Sequence, residues 1–234
     1  MNILITGASR GIGAAAFALL KARGHRVVGH STKGSDELVA GDLTDPAAPR
    51  DIWDTALAEL DGQIDALINN AGIYEAVPDN STDEEWHRAW TRTLTINLQA
   101  AADLSKLAVS HFLDLGIPGR IINIASRAAF RGDSPQHWHY AASKAGLVAM
   151  TRTIARGYAS EGILCFAVAP GFTVSEMTAE YLQGRGGAQI VADIPLGRVA
   201  STDEVAEVIR WLASDAPASS TGGVIDVNGA SYVR

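Results

Sequence analysis

Short apolar runs alternate along the chain with longer stretches in which apolar residues recur every three or four positions. The short runs are rich in β-branched residues and are apolar at consecutive positions, which is typical of parallel strands buried on both faces. They predict strands over residues 2–6, 26–30, 38–40, 65–69, 120–125, 163–168 and 224–227. The longer stretches predict helices over about 12–23, 47–60, 83–115, 138–160 and 203–213.

This alternation predicts right-handed crossovers and an α/β fold, a doubly wound parallel sheet of about seven strands with helices on both faces. The chain has 234 residues and no internal repeat or interdomain linker, so we expect residues 1–234 to form a single domain. The least regular stretch, 177–197, is rich in glycine. It suggests a lid over the substrate, although an ordinary surface excursion is nearly as good an interpretation.

Composition narrows the classes of function. Apolar residues form 47% of the chain and charged residues 19%, which favours a packed core over disorder. The net charge of −7 argues against non-specific nucleic-acid binding, which needs clustered cations, although a local basic pocket remains open. No apolar run approaches the roughly 20 residues that span a bilayer, so we expect no membrane segment.

Cys165 is the only cysteine, and it lies in an apolar run, Ile163–Val168. A buried structural thiol is therefore a better interpretation than a nucleophile. A single cysteine forms no intramolecular disulfide, which fits a reducing compartment. The apolar N-terminal run has no basic segment before it and is followed at once by glycines, so it indicates a first strand and not a signal peptide. We expect a cytoplasmic protein.

A glycine-rich turn follows the first predicted strand and precedes an alanine-rich helix. Its residues are Gly7, Ala8, Ser9, Arg10, Gly11, Ile12 and Gly13. Gly7 permits a tight turn, and the other glycines let the backbone approach a pyrophosphate closely. The helix start presents free N–H groups and the positive end of its dipole to such an anion. Glycine turns are common, but one placed between a strand and a helix in this way predicts a dinucleotide site.

Tyr140 and Lys144 lie four positions apart in a predicted helix and therefore share one face. A phenol with an ordinary pKa near 10 exchanges protons poorly at neutral pH. An ammonium about 4 Å away, at an effective dielectric of ~20, is worth about 4 kcal/mol. We therefore expect Lys144 to lower the pKa of Tyr140 by about three units unless desolvation cancels the effect. Most isolated Tyr-x3-Lys pairs lie on solvated helix faces. This pair differs because it follows Ser126, a hydroxyl residue at the end of a predicted strand.

The ordered set of motifs resembles the short-chain dehydrogenase/reductase family in its compact single-domain branch, and within it the 3-oxoacyl-[acyl-carrier-protein] reductases. The resemblance covers nearly the whole chain and implies a Rossmann-type sheet. The motifs that carry it are Thr6-Gly7-x3-Gly11-x-Gly13, Asn69-Asn70-Ala71-Gly72, Asn97, Ser126, Tyr140-x3-Lys144 and Pro170-Gly171.

The resemblance implies roles for four catalytic residues. Tyr140 would donate the proton during reduction, and Ser126 would orient the substrate oxygen. Lys144 would also hold the nicotinamide ribose. Asn97 would fix a water that links Lys144 to solvent, although an asparagine buried in a helix can be purely structural.

The glycine-rich turn and the resemblance together imply a set of cofactor contacts. These residues are Gly7, Ser9, Arg10, Gly11, Ile12, Gly13, Ser31, Thr32, Asp42, Leu43, Asn70, Ala71, Gly72, Tyr140, Lys144, Pro170, Gly171, Thr173 and Ser175. Asp42 and Leu43 match the family's adenine-contacting pair. Thr173 and Ser175 would meet the carboxamide of nicotinamide.

The end of the second predicted strand indicates which dinucleotide is used. It reads His30-Ser31-Thr32-Lys33, without the acid that NAD sites usually place there. Arg10, with Ser31, Thr32 and Lys33, could bind the 2′-phosphate of NADP. Alternatively, Arg10 and Lys33 are merely solvated, and Asp36 is a rival signal for NAD. NADP(H) is favoured over NAD(H), because Asp36 lies several residues past the strand end.

We predict an NADPH-dependent oxidoreductase that reversibly reduces a carbonyl group to an alcohol. The substrate would be a small ketone, aldehyde or quinone, or a 3-oxoacyl thioester. A non-catalytic NADP-binding regulator on the same fold is the alternative, but Asn97, Ser126, Tyr140 and Lys144 are all present. An epimerase or dehydratase on a related fold is a third hypothesis, although such relatives are usually longer.

The helices around 83–115 and 138–160 are where relatives form interfaces, so we expect a homotetramer or a dimer. His137 and His139 are close in sequence, but two histidines without nearby acids or cysteines are thin evidence for a metal. We expect them to be loop residues or to pack on the substrate side. Trp138 would line the pocket or anchor the start of the helix.

Overall fold

The computed structural model describes residues 1–174 and 187–234. In these ranges seven parallel strands form one sheet in the order β3-β2-β1-β4-β5-β6-β7. The strands are β1 (Asn2–Ile5), β2 (Arg26–Ser31), β3 (Leu38–Ala40), β4 (Ala66–Asn69), β5 (Gly119–Ile124), β6 (Ile163–Pro170) and β7 (Val224–Val227). The predicted strands and the doubly wound parallel sheet are confirmed, and the largest difference is at β6, which continues to Pro170.

Helices cover both faces of the sheet. They are α1 (Gly11–Ala22), α2 (Ala48–Glu59), α3 (Asp83–Leu94), α4 (Ala100–Leu115), α5 (Ala128–Arg131), α6 (Trp138–Tyr158), α7 (Gly187–Ala192) and α8 (Thr202–Ser214). Helices α1 and α8 pack on one face, and α2, α4 and α6 pack on the other. The sequence did not predict the short helices α5 and α7.

The consecutive apolar positions of the strands are explained by these two layers. Leu4 belongs to the cluster beneath α2 and α4, whereas its neighbours Ile3 and Ile5 belong to the cluster beneath α1 and α8. All three side chains are 0% exposed. Successive residues of a strand point to opposite faces, so a strand covered on both sides needs apolar residues throughout. Cys165 in β6 is buried in the same way, as predicted.

Two helix starts carry complete capping boxes. The Thr82 side chain accepts a hydrogen bond from the Glu85 N–H, and the Glu85 carboxylate accepts one from the Thr82 N–H. Ser201 and Glu204 form the same pair at the start of α8. Each box satisfies two backbone donors that a helix start leaves unpaired. A hydroxyl residue followed three positions later by a glutamate is the sequence signature of such a helix start.

The helix predicted over 83–115 is confirmed as one continuous helical stretch, and a π turn, Thr95–Gln99, separates its α-helical parts α3 and α4. A π turn accommodates an extra residue in a helix and is frequent at functional sites. Asn97 lies in the middle of this turn and is buried.

The carboxyl ends of the central strands form the edge at which ligands of such sheets bind, beside the point where the strand order reverses. That reversal lies between β1 and β4, which are neighbours in the sheet. The Asn70 side chain joins the two loops there, because its Nδ2 donates to the carbonyl oxygen of Gly7 (2.9 Å). No helix in the described ranges is both long and apolar enough to cross a bilayer.

Candidate active site

A cavity of about 820 Å³ opens at this edge of the sheet. Loops that follow β1, β2, β3, β4, β5 and β6 line it. It brings together the described residues that the sequence predicted as catalytic or cofactor-binding, with the exception of Asn97, which lies behind its wall. Ser175 lies outside the described residues.

The glycine-rich turn packs so closely that no side chain fits inside it. A Cβ on Gly13 would lie 2.0 Å from the carbonyl oxygen of Gly7, and Gly7 itself has a φ of +67°. Arg10 is the N-cap of α1 and makes no side-chain cap hydrogen bond. The first N–H groups of α1 are therefore left for another acceptor, which suits the pyrophosphate of a dinucleotide.

The outer end of the cavity carries the residues expected at a 2′-phosphate. Arg10, Ser31 and Thr32 line it, whereas Lys33 and Asp36 do not. Among the described lining residues, no acid stands at the tip of β2. The residue pattern thus fits a phosphate better than a ribose hydroxyl.

His30 ties the glycine-rich turn to the sheet, a role that the sequence did not reveal. Its Nδ1 accepts from the Gly7 N–H (3.4 Å), and its Nε2 lies 2.9 Å from the carbonyl oxygen of Gly41. A carbonyl only accepts, so Nε2 carries the proton and the imidazole is neutral. Burial lowers the pKa of His30, in keeping with that state.

The expected adenine-contacting pair has two different environments. Leu43 is buried and presents an apolar surface to the cavity. The Asp42 carboxylate accepts hydrogen bonds from the Thr44 N–H (3.0 Å) and hydroxyl (2.8 Å). These bonds hold the pKa of Asp42 below its usual value, and they fix the loop after β3.

The side chains at the reaction centre meet as the motif order indicated. The Tyr140 hydroxyl makes a hydrogen bond with the Ser126 side chain. Lys144 lies one turn along α6, with its Nζ 5.7 Å from the centroid of the Tyr140 ring. That Nζ donates to the carbonyl oxygen of Ile124 (2.8 Å), the last residue of β5. Strand β5 and helix α6 therefore place all three groups together.

The expected lowering of the Tyr140 pKa is wrong for this structure. Burial raises the pKa of Tyr140 to about 12, and the hydrogen bond to Ser126 opposes this only in part. Burial also lowers the pKa of Lys144 to about 8. The ammonium is hydrogen-bonded to a backbone carbonyl and not to the phenol, so desolvation outweighs its attraction for a phenolate. Tyr140 is therefore a protonated acid at neutral pH.

Asn97 acts on the site through the turn after β4. Its Oδ1 accepts from the Ile73 N–H (2.8 Å), and its Nδ2 donates to the Ile73 carbonyl oxygen (3.0 Å) and the Ser143 hydroxyl (3.2 Å). A Cβ on Gly72 would lie 3.3 Å from Asn97 Oδ1 and 3.4 Å from Lys144 Nζ. The asparagine side chain thus holds this turn against the lysine.

The nicotinamide end of the expected site follows β6. A Cβ on Gly171 would lie 2.8 Å from the Cβ of Asn228, so a glycine is needed there. Thr173 is buried and bridges to Ala200. Residues 177–186 of the expected lid lie outside the described residues, whereas Asp193 at its far end pairs with Arg131 (2.6 Å).

Tyr74 and Arg127 line the cavity but were not predicted as site residues. The Tyr74 ring stacks on His137 (centroids 3.9 Å apart) and meets the edge of Tyr140 (4.8 Å), and its hydroxyl donates to Asp133 (3.1 Å). Tyr74 follows the Asn70–Gly72 motif by two residues, and Arg127 follows Ser126 directly. Proximity to these motifs is the signal that could have identified both.

The two histidines before Tyr140 are packed. His137 Nδ1 lies 2.6 Å from the Ser134 hydroxyl, and the His139 ring lies beside that of Trp90, with centroids 6.0 Å apart. No group of three potential ligands for a metal occurs among the residues that the structure describes. Trp138 starts α6 outside the main cavity and meets the Trp86 ring edge-on.

Comparisons with known proteins agree with this geometry. A family model described as enoyl-(acyl carrier protein) reductase matches residues 7–230. The 3-oxoacyl-[acyl-carrier-protein] reductase FabG of Escherichia coli (strain K12) is 38% identical over 242 residues, which cover 98% of this chain and 96% of the relative. The cis-4-hydroxycyclohexanecarboxylate dehydrogenase of Sinomonas cyclohexanicum is 37% identical over 240 residues, 97% of this chain and 94% of the relative.

Solved structures share the fold closely. The TT0495 protein of Thermus thermophilus superposes with a TM-score of 0.89 at 30% identity, covering 97% of both chains. A candidate 2-deoxy-d-gluconate 3-dehydrogenase of Agrobacterium tumefaciens, solved with bound NADP, has a TM-score of 0.86 at 28% identity, covering 97% of this chain and 94% of that one. The chain belongs to the short-chain dehydrogenase/reductase family, as an oxidoreductase that acts on a carbonyl or hydroxyl carbon.

Proposed function

We propose that the protein is an NADPH-dependent reductase that converts a ketone to a secondary alcohol, in a reversible reaction. The observation that carries this proposal is the Tyr140 hydroxyl, which is hydrogen-bonded to Ser126, close to Lys144, and in the same cavity as the glycine-rich turn. A protonated phenol beside a dinucleotide site is suited to give a proton to an oxygen that gains charge.

The residues at the outer end of the cavity support NADPH. Arg10, Ser31 and Thr32 offer a cation and two hydroxyls, and the tip of β2 presents no acid that would repel a 2′-phosphate. One structural relative was solved with bound NADP. When bound, the reduced nicotinamide supplies a hydride to the carbonyl carbon.

The chain's own residues handle the oxygen of the substrate. The Ser126 hydroxyl holds this oxygen, and Tyr140 gives it the phenolic proton as negative charge develops there. The phenolate that remains is stabilised by the Ser126 hydroxyl and the ammonium of Lys144. The carbonyl thus gains one hydride and one proton to become an alcohol. A non-catalytic role is not supported, because Asn97, Ser126, Tyr140 and Lys144 are all present in the chain.

The relatives leave several substrate classes open. By name, they act on 3-oxoacyl thioesters, on acetoacetyl-CoA and on a hydroxycyclohexanecarboxylate. A 3-oxoacyl thioester or another ketone is the corresponding proposal for this chain. Three expectations also stay predictions: the single domain with a lid over 177–197, a cytoplasmic location, and assembly into a homotetramer or dimer through the helices around 83–115 and 138–160.

Tyr140→Phe tests the proton donor. We expect NADPH binding to persist and kcat for carbonyl reduction to fall about 100-fold or more, because general acid catalysis contributes about that much. NADPH absorbance would follow turnover over a panel of ketones, and NADPH fluorescence would follow binding. Tyr158→Phe removes the same hydroxyl near the end of α6, outside the cavity, and is the matched control. Near-normal activity of Tyr140→Phe would overturn the assignment.

Arg10→Ala tests the choice of cofactor. Loss of a charge-assisted hydrogen bond to a phosphate should weaken NADPH binding about tenfold, while NADH binding changes little. Lys33→Ala serves as the control, because Lys33 is a nearby cation that does not line the cavity. Equal losses for NADPH and NADH would argue against a 2′-phosphate role for Arg10.

A further inference from the structure

Arg127 brings a positive charge into the cavity without forming an ion pair to any described residue. Its Nη1 is buried and has no hydrogen-bond partner among the residues of the described ranges. No carboxylate in those ranges lies within ion-pair distance of it. Its guanidinium packs over the Phe172 ring, 5.0 Å from the centroid. Burial lowers the pKa of Arg127, and the charges of Asp193 and Asp133 oppose this effect only in part.

The other cations of the cavity wall are already engaged or stand elsewhere. Arg131 pairs with Asp193 (2.6 Å), and Arg92 pairs with Glu75 (3.6 Å). Lys144 donates to the carbonyl oxygen of Ile124. Arg10 lies on the glycine-rich turn, at the cofactor end. Arg127 is thus set apart from the remaining cations by its combination of burial and lack of a partner within the described residues.

The position of Arg127 places this charge next to the reaction centre. It follows Ser126 in the chain, and its N–H donates to the carbonyl oxygen of Pro170 (3.0 Å), which fixes the backbone between the ends of β5 and β6. Consecutive Cα atoms lie about 3.8 Å apart. Both residues line the same cavity, so one small molecule can reach the Arg127 guanidinium and the Ser126 hydroxyl together.

We propose that the substrate is an oxo acid whose carboxylate is bound by Arg127 while its ketone faces Tyr140. The proposal rests on the proposed function and names its substrate class. A half-buried guanidinium with a buried, unpaired Nη1 is stabilised by pairing, and its planar fork matches a carboxylate through two parallel hydrogen bonds. The hydride adds to the ketone carbon and the Tyr140 proton to its oxygen, so the product is the hydroxy acid and the carboxylate is unchanged.

The geometry favours a carboxylate over the phosphate of a pantetheine thioester. In such a thioester, a long arm separates the phosphate from the carbonyl, so the phosphate would lie at the cavity rim and not beside Ser126. The acid Asp133 also lines the cavity, where it accepts from the Tyr74 hydroxyl and the Ser134 N–H. Two donors already occupy this carboxylate, and its charge offsets that of Arg127 only in part, because the net effect of the surroundings is still to lower the pKa of Arg127.

Matched pairs of substrates test the proposal. Open-chain and cyclic oxo acids would each be assayed beside their own methyl esters with NADPH. We expect kcat/KM to favour the acids by about 100-fold, because the ester leaves the guanidinium unpaired. Arg127→Met should abolish this preference, and Arg127→Lys should keep part of it. Arg131→Gln removes a neighbouring cation that is already paired, so it should keep the acid-to-ester preference.

Binding to the Tyr140→Phe variant separates the two proposals. Calorimetry with NADPH present would measure binding of an oxo acid and its ester without turnover. The oxo acid should bind tightly, and Arg127→Met should weaken this binding about 100-fold. That result would support an oxo-acid substrate even if turnover does not depend on Tyr140. Equal kcat/KM and equal binding for acids and esters would overturn the oxo-acid proposal. The proposal of a Tyr140-dependent reductase would still stand. Loss of NADPH binding itself in Arg127→Met would also overturn the oxo-acid proposal, because the arginine would then serve the cofactor.

Discussion

Desolvation decides the protonation states of Tyr140 and Lys144. Coulomb attraction to an ammonium about 4 Å away would favour a phenolate, but the loss of water on burial disfavours the charged forms of both groups. In the folded protein the ammonium bonds to the Ile124 carbonyl, and both side chains lose water. The pair is therefore an acid with a raised pKa and a base with a lowered one, an arrangement suited to donation during reduction.

The pH dependence of stability should report the Lys144 shift. A base whose pKa falls from 10.5 to about 8 on folding binds fewer protons in the native state between these values. Its contribution to stability is therefore present above the unfolded pKa and is lost as the pH falls through the folded pKa of about 8. We expect the melting temperature of the wild type, relative to Lys144→Met, to rise from about pH 7 to about pH 9.5. A difference in melting temperature that does not change with pH would contradict the lowered pKa of Lys144.

This window stays below the pH range in which the contribution of Tyr140 to stability changes. Its pKa is raised from 10 to about 12, so its own contribution is present below pH 10 and is lost as the pH rises through 12. Tyr140→Phe should therefore leave the slope between about pH 7 and about pH 9.5 unchanged, which makes it the control for the lysine measurement.

At the scale of elements, one irregular turn and one tight loop position the site. The π turn Thr95–Gln99 contains Asn97, whose side chain bonds to the loop after β4. The glycine-rich turn brings the start of α1 against the end of β1, so that a Cβ on Gly13 would lie 2.0 Å from the Gly7 carbonyl oxygen. Both features exist because backbone groups approach closely, and side-chain patterns report such approaches only indirectly.

Gly13→Ala should disrupt the start of α1. The new methyl group would overlap the carbonyl oxygen of Gly7 and the Asn70 side chain (2.4 Å), so the turn would have to open. We expect a lower melting temperature and loss of NADPH binding, measured by thermal unfolding and fluorescence. Gly157→Ala is the matched control: nothing lies within 4 Å of the added methyl group in α6, and helix propensity should stabilise the fold by about 0.5–1 kcal/mol. Unchanged NADPH affinity in Gly13→Ala would contradict a role for the glycine-rich turn in binding the cofactor.

Across the whole molecule, buried hydrogen bonds join the sheet to its helices. Asn123 in β5 is 0% exposed. Its Oδ1 accepts from Asn69 Nδ2 (2.9 Å) in β4, and its Nδ2 donates to the Thr151 hydroxyl (2.9 Å) in α6. Asn69 Nδ2 also donates to the Ser105 hydroxyl (3.1 Å) in α4. These bonds align two strands and two helices directly behind the reaction centre.

Asn123→Leu keeps most of the side-chain volume but leaves part of this network unpaired. We expect the free energy of unfolding in urea to fall by about 1–3 kcal/mol, the usual cost of stranding buried polar groups. A double-mutant cycle with Thr151→Val should give a coupling of about 0.5 kcal/mol or more, because the two side chains touch. Additive effects would show that the contact between β5 and α6 carries no energy of its own.

The sequence by itself determined the strands, most of the helices and the positions of the site motifs, because burial on two faces and helix periodicity are local patterns. The ordered motifs from Gly7 to Gly171, through their resemblance to the short-chain dehydrogenase/reductase family, predicted a dinucleotide oxidoreductase. Tertiary structure alone decided what depends on distant neighbours: the protonation of Tyr140, the unpartnered Nη1 of Arg127 within the described ranges and the π turn at Asn97. The burial of a side chain and its hydrogen-bond partners depend on residues that are far apart in sequence. No local sequence pattern therefore encodes them.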